Sequence, residues 1–474
     1  MRRWSLPVIL LTLLACHRAN GPHVIFIGLD GADWQLLDRY MSEGTMPNLA
    51  RIVSSSDKRT LLTQQPPLSP LVWTSMMTGV SPLEHHILDF TRFNPSTGEK
   101  EPITSDERHV PAIWNMLTEK GQRVDVIGMW ATFPAEKVNG TIVTDREVAG
   151  DYVAQTEAVH RAALSAIHRD HPNLAVVYFQ GTDVIGHLFA SQRVSEDDVR
   201  KYFARVDQIL GDYARENAQL VIASDHGFEW SRKITVSSTA VATAGKWHRE
   251  EGILVVPRGA PSCPHVDGIT PLLLELLGLP RDVSVYQRAW RQQRITSATP
   301  ASSEAIANLK SLGYIGSNES THAPANYHGT RTAASYDNEG LILRELGRND
   351  DSIKAYDTAL QIDPHSASAM WNLSDLLHRQ HVDLARADKL LDDAIAIDPE
   401  PHWLAMRGRY RMEKHDCRNA LADFQRAASE QNAVVYASIG AAELCLGDES
   451  AAKAAFEKSL AIDPNQPQLR AFMR

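Results

Sequence analysis

Apolar runs of six or seven residues punctuate the chain from residue 23 to about 300: VIFIGL, VDVIGMW, LAVVYFQ, QLVIASD and GILVVP. Each is short and β-rich enough to read as a strand. Between them, PAIWNMLTEKG and EDDVRKYFARVDQILGDYAREN carry apolar residues at helical spacing. TPLLLELLGLP, residues 270–280, reads as a short apolar helix halted by Gly278 and Pro280. Strand–helix alternation predicts an α/β domain over 23–295: a doubly wound, mostly parallel sheet with helices on both faces.

Residues 296–330 are rich in Ser, Ala, Asn and Thr and read as a linker, with a short helix at SEAIANLKSLGY. From 331 to 474 the pattern is helical and repetitive. Tyr336, Gly340, Gly347, Tyr356, Ala359 and Pro364 recur one hundred residues later as Tyr436, Gly440, Gly447, Phe456, Ser459 and Pro464. Two copies fit between, one with Trp371, Ala387, Ala394 and Pro399, the other with Gly408, Ala420, Phe424 and Ala427. The period of about 33 residues resembles that of tetratricopeptide (TPR) repeats. Small residues let two helices approach, aromatics fill the gap, and proline ends the second helix. About four such units would form an all-α solenoid whose concave face takes a protein or peptide partner.

The first sixteen residues have another texture. Arg2 and Arg3 precede the run Leu6 to Ala15, which is too short to span a bilayer and ends at Cys16. The LLAC ending resembles a bacterial lipoprotein signal, which implies a lipid anchor at Cys16. His17 after the cysteine favours the periplasmic side of the outer membrane in such proteins. The other cysteines, Cys263, Cys417 and Cys445, show no CxxC spacing. In an exported chain Cys417 and Cys445 could pair and leave Cys263 free; separate structural burial is the leading expectation. The net charge of −10, with no basic stripe, speaks against binding a nucleic-acid polymer.

Chemistry gathers at the strand ends. VIFIGL runs into Asp30, and open α/β sheets place their sites at such carboxyl ends. QGTDVIGHLF sets Asp183 and His187 four apart, on one helical face. LVIASDHGFEW ends in Asp225 and His226, with Gly227 to let the backbone turn. GKWHREEGILVV puts His248 in a loop before a strand. Three carboxylates and three imidazoles suit two close divalent ions. In PPLSPLVWTSMMTGVSPLEHH, Ser69 before Pro70 marks a helix start, with Ser69 at the N-cap. Its hydroxyl would sit where a helix dipole favours an anion; Thr74 and Ser75 should lie inside the helix.

Taken together, GLDGADW…PNLARI, SPLVWTSMMTG.SP.EHH, TD..GH, SDHG and H…GILVV resemble the alkaline phosphatase superfamily, in its type I phosphodiesterase/nucleotide pyrophosphatase branch. The resemblance covers residues 23 to about 290. It implies one metal on Asp30, Ser69, Asp225 and His226, and a second on Asp183, His187 and His248, with Ser69 as nucleophile. Zn²⁺ fits the histidine content best, with Mn²⁺ as the alternative. Neutral imidazoles must bind the metal, so activity should fall at acid pH.

Several positions depart from that branch. Its nucleophile is usually Thr, and its Asn just after the nucleophile has Val72 and Trp73 in its place. Its His-Gly reads His85-His86, with His85 expected to be structural. A sulfatase would need a modified Cys or Ser followed by x-Pro-x-Arg, which SPLVW lacks.

The expectation is a metal-dependent phosphoesterase acting on a monoester or a diester. Two other classes stay open: a phospho-group transferase acting on an envelope glycan or lipid, and a non-enzymatic TPR scaffold. Little chain is left for a large cap, so the site should be open, with residues 89–160 as its rim.

Overall fold

The structure, a computed structural model, describes residues 23–148, 150–230, 247–288, 290, 306–307, 309–310, 321–428 and 432–473. The leader and Cys16 lie outside these residues. Among the described residues no helix is long and apolar enough to cross a membrane.

Eleven strands are present among the described residues: β1 Val24–Leu29, β2 Ser56–Leu62, β3 Thr91–Phe93, β4 Lys100–Pro102, β5 Val124–Ile127, β6 Gly140–Val143, β7 Leu174–Phe179, β8 Gln219–Ala223, β9 Gly227–Phe228, β10 His248–Arg249 and β11 Glu251–Pro257. Seven of them form one sheet in the order β2-β11-β8-β1-β7-β5-β6. The run from β8 to β6 is parallel, whereas β11 is antiparallel to both β8 and β2. The five apolar runs are all strands. The strand missed in sequence, β2 (SDKRTLL), is polar because it is an edge strand of which only Leu61 is buried.

Alternation divides the central strands between two cores. Val24, Phe26, Val176 and Tyr178 face one, with Trp73 and the helix Ile269–Leu276. Ile25, Ile27, Leu29, Val177 and Phe179 face the other, with the helices Trp34–Ser42, Tyr152–Asp170 and Glu196–Tyr213. Helices therefore cover both faces, and the parallel strands end together on one rim.

The C-terminal region is four antiparallel helix pairs, 333–345 with 349–362, 367–380 with 384–397, 401–413 with 417–427, and 433–446 with 449–462, followed by a short helix Pro467–Phe472. The small-residue and aromatic register has a direct cause. A Cβ on Gly340 would lie 2.4 Å from Tyr356, and one on Gly440 would lie 2.3 Å from Phe456. Cys417 and Cys445 are disulfide-bonded rather than separately buried, with Cα atoms 6.0 Å apart, and the bond joins the third pair to the fourth. Cys263 is a buried free thiol.

The two regions are not merely tethered. Residues 321–330 run along the β3–β4 hairpin, where Lys100 N donates to Thr321 O at 2.8 Å and Phe93 N to Thr330 O at 2.6 Å. Thr332 Oγ1 donates to Asp89 Oδ2 at 2.6 Å, and Asn338 Nδ2 donates to the Leu88 carbonyl at 2.8 Å. Ile342, on the first repeat helix, joins the same apolar cluster as Leu88 and Trp73.

Candidate active site

The parallel strands deliver their next residues to one rim. Asp30 follows β1, and its backbone is pinned: its N–H donates to Phe179 O, and Thr182 Oγ1 donates to its carbonyl at 2.6 Å. Gly31 follows with φ of 63°, and a Cβ there would sit 2.9 Å from Asp183 Oδ1. A glycine is required at this step by both its backbone angle and its closeness to Asp183. The freed Gly31 N–H donates to Asp225 Oδ1 at 3.2 Å, across from the end of β8.

The helix Gly181–Ala190 follows β7 and presents Asp183 and His187, with Oδ2 and Nε2 3.2 Å apart. His248, on β10, turns its Nε2 to within 3.1 Å of His187 Nε2 and 3.5 Å of Asp183 Oδ1. His226 Nε2 lies 3.5 Å from Asp30 Oδ1 and 3.4 Å from Asp225 Oδ2. The rings of His226 and His248 stack at 3.6 Å. Six side chains from four separate stretches of the sequence thus form one buried cluster.

The donor atoms form two overlapping groups, Asp30 with Asp225 and His226, and Asp183 with His226 and His248; within each group they lie within 4.8 Å of one another. His226 belongs to both groups, so it lies between the two halves of the site rather than in one alone.

This cluster fits divalent cations on its own chemistry. His226 Nδ1 bonds the Gly227 carbonyl at 3.0 Å and His248 Nδ1 bonds the Pro67 carbonyl at 2.8 Å. A carbonyl on one ring nitrogen fixes the tautomer that offers the other as a lone pair. Asp225 Oδ2 and His226 Nε2 are buried with no hydrogen-bond partner among the described residues. Burial raises the Asp30 carboxyl well above its ordinary range, and the charges of Asp225 and Asp183 raise it further. Burial likewise raises Asp225, although the Gly31 amide opposes the rise. Asp183 shows the reverse balance. Burial pushes it up, but His187 and His248 outweigh burial and hold it well below the usual range. His226 is pushed down by burial and by His248, and so stays a neutral donor.

Ser69 is buried, and its Oγ lies 3.4 Å from Asp30 Oδ1. Its helix spans Ser69–Thr78 with Leu68 at the N-cap, so Ser69 is the first helical residue and not the cap expected from sequence. The difference has a chemical consequence: the hydroxyl is directed to Asp30 and makes no capping bond. Thr74 and Ser75 lie inside the helix. His85 is structural: its Nε2 bonds Ser75 Oγ at 2.9 Å, and its Nδ1 accepts from Ile87 N at 3.1 Å.

Three site residues escaped the sequence reading. Trp73 Nε1 donates to Asp30 Oδ2 at 3.2 Å, Tyr178 Oη donates to the same oxygen, and Trp130 Nε1 donates to Tyr178 Oη at 2.7 Å. Tyr178 was available as an inward position on β7 next to β1, but only the fold brings Trp73 and Trp130 beside it.

Carboxylates and imidazoles gather on the carboxyl rim of a parallel sheet, beside a serine at a helix start, in two groups that could hold metal ions. The family model for type I phosphodiesterase / nucleotide pyrophosphatase matches residues 24–278, and the chain belongs to that family. Two repeat models, TPR repeat and tetratricopeptide repeat, match residues 340–380 and 405–467.

Solved structures similar to parts of the chain include a phosphonoacetate hydrolase from Sinorhizobium meliloti 1021. It is 16% identical, covers 55% of this chain and 78% of that one, and has a TM-score of 0.37. A Pseudomonas aeruginosa pilF structure is 25% identical over 30% of this chain and 65% of that one, with a TM-score of 0.27. A Triticum aestivum Hsp70-Hsp90 organizing protein is 40% identical over 82 residues, 17% of this chain; the chain spans 14% of that relative's length.

Proposed function

We propose that this protein is a metal-dependent phosphoester hydrolase in which Ser69 is the nucleophile. The observation that carries the reading is the placement of Ser69 Oγ 3.4 Å from Asp30 Oδ1, within a buried set of three carboxylates and three imidazoles. Asp30, Asp225 and His226 would hold one divalent ion, with Ser69 beside it, and Asp183, His187 and His248 a second; Zn²⁺ suits these donors best. Such ions neutralise phosphoryl charge and lower the pKa of bound hydroxyls.

The chain's own residues supply the rest. Asp30 Oδ1 accepts the Ser69 hydrogen bond and so aims an Oγ lone pair away from itself. The dipole of helix 69–78 favours the anionic ester at its start. Ser69 Oγ attacks phosphorus in line, the bond to the leaving oxygen breaks, the Ser69 proton ends on that oxygen as the free alcohol, and a phosphoserine forms. Water then attacks that phosphorus, the bond from phosphorus to Oγ breaks, one water proton restores the Ser69 hydroxyl, and the remaining OH stays on the phosphate product.

The test is hydrolysis of a chromogenic diester and of the matching monoester, with Zn²⁺ or Mn²⁺ added and with a chelator. Loss of activity in Ser69→Ala and Asp225→Ala, and on chelation, is expected. Metal binding without turnover of either ester would move the reading to a transferase. Absence of metal binding would overturn it and leave the repeats as the function.

The proposal includes location and partner. Leu6 to Cys16 supports a lipid anchor facing the periplasm, and the repeats support a protein or peptide partner. Metabolic labelling with palmitate should mark the wild type and not Cys16→Ser.

A further inference from the structure

Asp30 has an asymmetric carboxylate. Its Oδ2 receives two side-chain donors, the Trp73 indole at 3.2 Å and the Tyr178 phenol. Its Oδ1 faces Ser69 Oγ at 3.4 Å and His226 Nε2 at 3.5 Å. One oxygen is held and the other is offered to the reaction.

The phenol is itself directed. Trp130 Nε1 donates to Tyr178 Oη at 2.7 Å, and an indole N–H can only donate. The phenol therefore accepts from Trp130 and sends its own proton to Asp30. Packing holds this direction. Trp73 and Tyr178 meet edge to face with centroids 5.0 Å apart, and Phe90 meets Trp130 in the same way at 5.6 Å. A side chain at Gly28 would sit 2.7 Å from the Trp73 ring, so the bare backbone of β1 makes room for the indole. All four groups are buried, where a misdirected hydrogen bond is costly.

From this geometry we infer that Tyr178 is a positioning residue for the proposed reaction, and that Trp130 acts through it. With Trp73, the phenol stops the Asp30 carboxylate from rotating, so that Oδ1 stays between Ser69 and His226. The inference rests on the hydrolase reading above, since it assigns these residues a role toward the cation that Asp30 would hold. Outer hydrogen bonds to a ligand carboxylate carry about 10–100-fold in metal affinity.

The test uses the full chain and measures Zn²⁺ affinity by competition with a chromogenic chelator, with circular dichroism as the check of folding. Tyr178→Phe should weaken Zn²⁺ binding by about 10-fold or more. It should lower kcat with little change in KM. Trp130→Phe keeps a ring on Phe90 but removes the N–H, and should give a smaller loss in the same direction. The double variant should bind no more weakly than Tyr178→Phe alone, because Trp130 has no route to Asp30 once the phenol is gone. A merely structural role would lower stability without moving Zn²⁺ affinity and kcat in the folded variants.

A folded Tyr178→Phe with wild-type Zn²⁺ affinity, or losses that add, would overturn the inference and leave the hydrolase reading intact. A wild type that binds no Zn²⁺ would overturn both. Should Tyr178→Phe not fold, Trp130→Phe decides alone: unchanged affinity refutes the inference and weakened affinity supports it.

Discussion

Buried carboxylates are accommodated in opposite ways at the rim of the sheet domain and at two acids of the repeat array. In the array, Asp375 lies 3.5 Å from Arg344 and 2.8 Å from Arg379, and Asp423 lies 2.7 Å from both Arg407 and Arg411. These two acids are matched by guanidinium charge, whereas buried Asp337 takes the Ser368 hydroxyl and the Asn372 amide. At the rim of the sheet, Asp30, Asp183 and Asp225 face hydroxyls, an indole, an amide and imidazoles. The sheet domain can also match charges, since buried Glu136 takes Arg108 at 2.6 Å and the Trp114 indole at 2.7 Å. Buried Asp207 of the same domain takes the Asn48 and Leu49 N–H groups and the Asn48 amide instead, so what is particular to the rim is three carboxylates gathered in one cluster. Matched acids stabilise a fold, whereas collected carboxylates cost stability until a cation joins them.

The same substitution should thus have opposite signs in the two regions. Asp225→Asn should lower turnover by roughly 10³-fold or more, yet raise the melting temperature of the metal-free protein. Asp423→Asn should leave turnover unchanged and cost about 2 kcal/mol, below the figure for a fully buried pair because Arg407 and Arg411 are partly exposed. Chemical denaturation of both variants in chelator, beside the ester assay, checks the pair. A stability loss in both would erase the contrast.

A pH experiment sharpens the comparison within the sheet domain. Burial, then Arg108 and His86, push His85 from 6.5 down to about 3. The folded state refuses a proton that the unfolded chain takes. The contribution is therefore complete above pH 6.5 and is lost as pH falls. By pH 5 the loss is about 2 kcal/mol. His85→Gln should flatten the stability profile by that amount between about pH 7.5 and 5. Denaturant titrations at several pH values measure it, and parallel profiles for the two proteins would count against it.

The smallest effect lies at the junction. Thr332→Val removes the hydroxyl that bonds Asp89 and caps helix 333–345 through Ser335 N. The cost should be about 1 kcal/mol. Calorimetry should show the array unfolding earlier while the sheet domain's transition stays in place.

The parts of this structure visible in the sequence were those with local causes. Asp30, Asp183 and the Asp225–His226 pair stand just past apolar runs, and parallel strands gather such positions on one rim. His248 could be named only as a loop residue near a strand; its stack on His226 depends on the short β9–β10 pairing. The polar β2 gave no apolar signal because it is an edge strand. The reversed direction of β11 is invisible in GILVVP, since direction leaves no periodicity. Trp73 read as a departure from the family pattern; its role at Asp30 required knowing that Gly28 leaves room for the ring.

The bond from Asn338 to the Leu88 carbonyl, with Ile342 sunk in the sheet domain's core, bears on diffusion. A flexible tether would let a captured molecule sample a wide volume around the hydrolytic rim. Here the first helix of the array is anchored, so a partner seated on the later helix pairs would, under the proposed function, be offered to the rim from a fixed bearing. Its effective concentration would then be set by geometry and could reach the millimolar range. Abundance in the surrounding compartment would matter little, and the enzyme could afford weak intrinsic affinity for its ester.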